Sequence, residues 1–128
     1  MKFITVESYE KLSKMTSDII GAQVILKPNC TLGLATGSSP LGTYASLAEK
    51  CEKGELDFSC VRSVNLDEYV GLNVDNDQSY RYFMNKNLFE KINIKMENTH
   101  IPNGCAKDLE KEGEEYDALI KELGGIDI

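Results

Sequence analysis

The sequence has a single histidine, His100, no tryptophan, only three prolines and no lysine- or arginine-rich block. Each shortage removes a class of function. One histidine and four cysteines, Cys30, Cys51, Cys60 and Cys105, none in C-x-x-C spacing, leave too few grouped ligands for a zinc site, so no metal is expected. Cysteines so scattered suit a reducing compartment, where they are expected to be free and mostly buried. Lys and Arg number 14 against 21 Asp and Glu, a net charge of −7 spread along the chain, so neither nucleic acid nor an anionic membrane surface is an expected partner. No apolar run approaches the roughly 18 residues of a spanning helix. The opening "MKFITVESYEKL" also lacks the charged-then-apolar build of a signal peptide, and the expectation is a cytoplasmic protein.

What is there is an alternation of elements that fits one domain of 128 residues. "KFITV" reads as a short strand. Tyr9, Leu12, Met15 and Ile19 then recur at helical spacing until Pro28 stops the pattern. "TLGLA" reads as a buried strand, and Leu41, Tyr44, Ala45, Ala48 and Cys51 trace one face of a helix ending near Gly54. "VRSVNL" is a further strand, and a polar loop from Gly71 to Gln78 leads to a helix with Tyr80, Phe83, Met84 and Leu88 inward. "NTHIPNG" reads as a turn-rich connection, with His100 solvated or capping. Leu109, Tyr116, Leu119, Ile120 and Leu123 mark a last amphipathic helix closed by Gly124 and Gly125. Strands alternating with helices of these lengths imply a parallel sheet covered on both faces, with the strands around Leu34 and Val64 near neighbours.

Two junctions in this pattern carry chemistry. In an open parallel sheet, ligands bind beyond the carboxyl ends of the strands, where Thr36, Gly37, Ser38 and Ser39 lie. Ser39 is placed to cap the helix and Pro40 to start it. Outward amides, the helix dipole and a glycine that permits close approach suit a phosphate. The turn matches neither G-x-x-x-x-G-K-[ST] nor G-x-G-x-x-G, and an unliganded helix start stays open as the alternative. The second junction is "VNLDEYVGL", where an apolar strand runs straight into Asp67 and Glu68. A carboxylate there is placed either to act as a general base beside a bound sugar or simply to cap a turn.

The stretches "LGLATGSSPLGTY", "VNLDEYVGL", "QSYRYFMNKNLF" and "NTHIPNG", in this order over nearly the whole chain, resemble the N-terminal half of the glucosamine-6-phosphate deaminase family. That family converts glucosamine 6-phosphate into fructose 6-phosphate and ammonia. The resemblance implies an α/β, three-layer αβα, Rossmann-like fold with a mostly parallel sheet, truncated at its C-terminal end, residues 1–128 forming the N-terminal part of one domain. It implies that Thr36, Gly37, Ser38 and Ser39 grip the sugar phosphate and that Asp67 is the base moving a proton between C2 and C1. Glu68 and Tyr69 complete the motif, and Tyr80 falls at the edge of the substrate site. No cofactor is implied, since the aldose-to-ketose shift generates its own imine. A homo-oligomer is left open. The family's ring-opening histidine and further basic phosphate ligands lie beyond the point where this sequence stops, at "GGIDI". Two other readings remain: a 6-phosphogluconolactonase-like hydrolase, which shares the fold but resembles D-E-R where this sequence has Asp67, Glu68 and Tyr69, and a non-catalytic sugar-phosphate-binding module.

Overall fold

In the computed structural model, which describes residues 3–128, three short parallel strands stand side by side in the order of the chain. Strand β1 (Thr31–Leu34) pairs with β2 (Arg62–Asn65), with Leu34 opposite Asn65, and β2 pairs with β3 (Thr99–His100). Helices α1 (Tyr9–Leu26), α2 (Leu41–Glu52), α3 (Tyr80–Asn87) and α4 (Leu109–Glu122) connect or flank them. Every strand-to-strand connection contains a helix, as parallel pairing requires. The strands around Leu34 and Val64 are thus direct neighbours.

The pleat sends Leu32 and Leu34 of β1 to one face, where they meet Val24, Tyr44, Leu47, Phe58, Met84 and Phe89 in the main core. Leu47 and Phe58 are at most 1 % exposed, so burial rather than helix propensity holds the layer. Val64 is fully buried yet stands outside that cluster, on the opposite face with its register partner Gly33. There the α4 end of the chain closes in: a Cβ on Gly33 would stand 3.2 Å from Ile126, and the Tyr116 hydroxyl of α4 reaches the Asn65 and His100 carbonyls at 2.8 and 3.0 Å. Backbone bonds also tie residues 127–128 to β1, Asp127 N–H to the Thr31 carbonyl and Gly33 N–H to Ile128. The layered αβα expectation therefore holds.

Several local expectations do not. Residues 3–6 of "KFITV" form no strand, and Lys2 lies outside the described residues. In α1 the supposed inner residues Tyr9, Leu12, Met15 and Ile19 are 37–50 % exposed, and the buried positions are Ser13, Ser17, Gly21 and Val24. Small residues win that face because α2 approaches closely: Ser17 and Ser46 share a 2.7 Å hydroxyl contact, and a Cβ on Gly42 would stand 2.3 Å from Ser13 Oγ. "NTHIPNG" opens with strand β3, since Thr99 and His100 complete the ladder to β2. Leu109 is exposed, whereas Tyr116, Leu119, Ile120 and Leu123 are half-buried as the spacing predicts. Cys30 is buried and Cys51 half-buried, but Cys60 and Cys105 are exposed, so the thiols are free without being mostly buried.

His100 is half-buried in β3 rather than solvated or capping. Burial pushes its pKa down, helped by the positive charges of Arg81 and Arg62. The folded chain thus favours neutral imidazole. As pH falls below the unfolded value of about 6.5, the unfolded chain takes up a proton that the folded one resists, so stability falls until the folded His100 is also protonated. His100→Gln should flatten this component of the pH dependence in denaturant titrations between pH 7 and 5. An unchanged slope would show that His100 is not its source.

Candidate functional site

The carboxyl ends of β1 and β2 open side by side into the two motif loops. Asn65, 1 % exposed, holds them together from below, its Nδ2 donating to the Leu34 carbonyl at 2.9 Å. Above β1 the chain passes Thr36 and turns at Gly37, whose φ of 93° lies in the left-handed region that disfavours side chains. Ser39 does not cap α2. Pro40 takes the boundary position with near-helical φ and ψ of −83° and −6° and supplies no capping side chain. Among the described residues the Ser39 hydroxyl makes no capping bond to α2, and the amides of Gly37, Ser38 and Ser39 have no backbone partner. Gly37, Ser38 and Ser39 are exposed, so this cluster of donors at the start of a helix faces solvent, a setting that favours an anion.

Above β2 the second loop is held by Glu68. Its Oε1 accepts the N–H groups of Tyr69 at 2.9 Å and Tyr80 at 2.8 Å, and its Oε2 accepts that of Arg81 at 2.9 Å. Three amides, two of them at the start of α3, occupy the carboxylate. Glu68 is therefore engaged in joining the Asp67 loop to α3 rather than turned wholly to a ligand. From behind, Gly104 supports the loop: Gly71 N–H bonds its carbonyl at 2.8 Å, and a Cβ on Gly104 would fall 2.0 Å from the Tyr69 carbonyl oxygen. Arg81, half-buried, donates to the Thr99 hydroxyl and carbonyl at 2.8 and 3.1 Å, tying α3 to β3.

Because Glu68 sets the start of α3, Tyr80 comes to lie over Tyr69, with ring centroids 4.6 Å apart and planes inclined by 42°. The pKa of the Tyr80 phenol is raised, by the Tyr69 hydroxyl first and by desolvation second; Thr36 opposes the shift and the Asp67 charge adds to it. Tyr80 thus stands against the second loop through Tyr69. Thr36 of the first loop, Asp67 and Tyr69 of the second, and Tyr80 of α3 converge on one edge of the sheet, with Gly37, Ser38 and Ser39 continuing the first loop. Asp67 is exposed to solvent. Among the described residues no group of three His, Cys, Asp or Glu side chains could hold a metal ion, and no helix is long and apolar enough to cross a membrane.

Residue patterning misses two supports of the site. Asn65 reads as a strand residue and Gly104 as a loop glycine. Only Asn65 carries a legible signal, a polar residue ending an apolar strand directly before Asp67.

A parallel sheet in the order β1-β2-β3, layered with helices and with both motif loops at its carboxyl edge, makes this an α/β protein of Rossmann-like type. The model of the glucosamine-6-phosphate isomerases/6-phosphogluconolactonase family matches residues 6–128, and the chain belongs to that family. The glucosamine-6-phosphate deaminase of Lachnoclostridium phytofermentans is 62 % identical over all 128 residues, which cover 54 % of that protein. That of Clostridium botulinum strain Alaska E43 is 57 % identical over the same span, 51 % of its length. The chain spans about half the length of the curated relatives it matches. Among solved structures, a monomeric glucosamine-6-phosphate deaminase superimposes with a TM-score of 0.96 at 41 % identity, covering 99 % of this chain and 53 % of the other. A 6-phosphogluconolactonase from Thermotoga maritima gives 0.72 at 21 % identity over 94 % of this chain and 53 % of that one, a likeness of fold alone.

Proposed function

We propose that this chain carries the phosphate grip and the general base of a glucosamine-6-phosphate deaminase. The observation that supports this most directly is that the parallel pairing of β1 and β2, with Leu34 opposite Asn65, sends the Thr36–Ser39 turn and Asp67 out at one sheet edge, where Tyr69 of the second loop packs against Tyr80 of α3. In this reading the amides and hydroxyls of Gly37, Ser38 and Ser39 receive the sugar phosphate, while Thr36 and Tyr80 border the sugar. Asp67 takes the proton from C2 of the open-chain sugar and returns it at C1. With a second proton passing from the C2 amine to O1, this leaves C1 as an alcohol and C2 as an imine carbon, which water converts to the ketose with release of ammonia. Glu68 acts by holding the Asp67 loop on α3. With a net charge of −7, long-range attraction does not help the substrate anion, so its capture is local, by N–H and O–H donors.

The Asp67–Glu68–Tyr69 run, with Tyr69 stacked against Tyr80, favours the deaminase over the lactonase. A cytoplasmic location and the amino-sugar breakdown such an enzyme serves belong to the same proposal.

Titration of the ¹⁵N-labelled chain with glucosamine 6-phosphate tests it. The amides of residues 36–39 and 67–69 should shift together, and glucose lacking the phosphate should leave the first group still. Shifts confined to other regions would sink the assignment.

A further inference from the structure

Tyr9, at the start of α1, has a half-exposed ring but a fully engaged hydroxyl. The phenolic oxygen accepts the Gly42 N–H at 2.9 Å, and its proton faces the carbonyls of Ser38 and Ser39 at 3.2 and 3.1 Å. These three groups belong to the turn proposed to hold the phosphate and to the first turn of α2. A trans peptide is planar, with its C=O and N–H pointing in opposite directions. Drawing the Ser38 carbonyl toward Tyr9 therefore aims the Ser39 N–H away from α1, on the exposed side of the turn. By accepting Gly42 N–H, Tyr9 also satisfies a donor that the first turn of a helix leaves unpaired.

The α1–α2 seam is built so that this contact can form. Ser13 and Ser17 are small, and Gly42 has no side chain at the point where a Cβ would stand 3.0 Å from Tyr9 Cε1 and 2.3 Å from Ser13 Oγ. A side chain at position 42 would crowd Ser13 Cβ at 2.9 Å and the Tyr9 ring at 3.0 Å, and should displace the Tyr9 hydroxyl from the turn.

We propose that Tyr9 is a positioning residue of the anion-binding turn, its hydroxyl orienting the Ser38–Ser39 peptide and so setting the turn's affinity for phosphate. This rests on reading the turn as a phosphate grip. The probe is inorganic phosphate, titrated into the ¹⁵N-labelled chain, wild type, Tyr9→Phe and Gly42→Ala. Wild type should respond at Gly37, Ser38 and Ser39. Tyr9→Phe, which removes one oxygen, should weaken binding about three- to tenfold, the value of one net hydrogen bond, with faster exchange of the Gly42 amide and unchanged far-UV circular dichroism. Gly42→Ala keeps the hydroxyl but displaces it and should weaken binding similarly. Unchanged affinity in either variant overturns the role of Tyr9 while the grip itself stands. A wild-type response away from residues 36–39 overturns the grip, and the role of Tyr9 with it.

Discussion

Replacing Asp67 by asparagine, in a chain extended to the length of its relatives, should lower exchange of the substrate's C2 proton by about 10²–10⁴-fold while leaving substrate binding nearly intact. Asparagine has almost the same shape as aspartate but cannot take up a proton in this pH range. Asp67 is exposed at the end of β2, and among the described residues its carboxylate makes no hydrogen bond that the substitution would break, so the fold has no reason to respond. The rate constant should therefore collapse with little change in KM, the pattern of an interaction made in the transition state alone. Proton exchange in deuterated solvent, followed by NMR of the sugar, isolates this step from ammonia release. Near-normal exchange in Asp67→Asn would make Asp67 a turn residue and return the site to the non-catalytic reading.

Gly104→Ala should damage both stability and the site. The added methyl would fall 2.0 Å from the Tyr69 carbonyl oxygen and 2.9 Å from its carbon, and backbone cannot swing aside as a side-chain tip can. Either the 102–105 segment or the Asp67 loop must move, breaking the Gly71–Gly104 hydrogen bond and disturbing the Glu68 clamp on α3. Forcing atoms into a filled space of this kind costs about 1–3 kcal/mol. Gly113→Ala supplies the control of opposite sign. Gly113 lies inside α4 with nothing within 4 Å of its Cβ position, so alanine there should stabilise by about 0.5–1 kcal/mol through helix propensity. Thermal or urea unfolding of the two variants reads both effects. A Gly104→Ala protein as stable as wild type, with unshifted Tyr69 and Tyr80 amides, would show that the loop is not seated on Gly104.

The two motif loops were legible because their chemistry is local. A strand end, a glycine and hydroxyls before a helix, or an apolar strand running into two carboxylates, depends on neighbours in sequence. The role of Glu68 was not legible, since its partners Tyr80 and Arg81 lie 12 and 13 residues further on and meet it only because β2 and α3 pack as they do. Tyr9 was misread for a related reason: helical spacing identifies an apolar stripe but not which side a neighbour will cover. In α1 the neighbour covered the small side, because α2 comes close enough for Ser17 to touch Ser46.

By itself, then, the sequence determined helices α1 to α4, the strands β1 and β2 with their parallel pairing, and the positions of Thr36 to Ser39 and of Asp67 at the carboxyl edge. Alternating periodicity and turn chemistry act over a few residues, and a parallel sheet has one edge where loops can gather ligands. Only the tertiary structure decided that Thr99 and His100 form the third strand, that α1 buries serines and glycine rather than its larger residues, and that Glu68, Gly104 and Tyr9 brace the two loops. Those outcomes depend on distances between segments far apart along the chain, which close packing sets and local propensity does not encode.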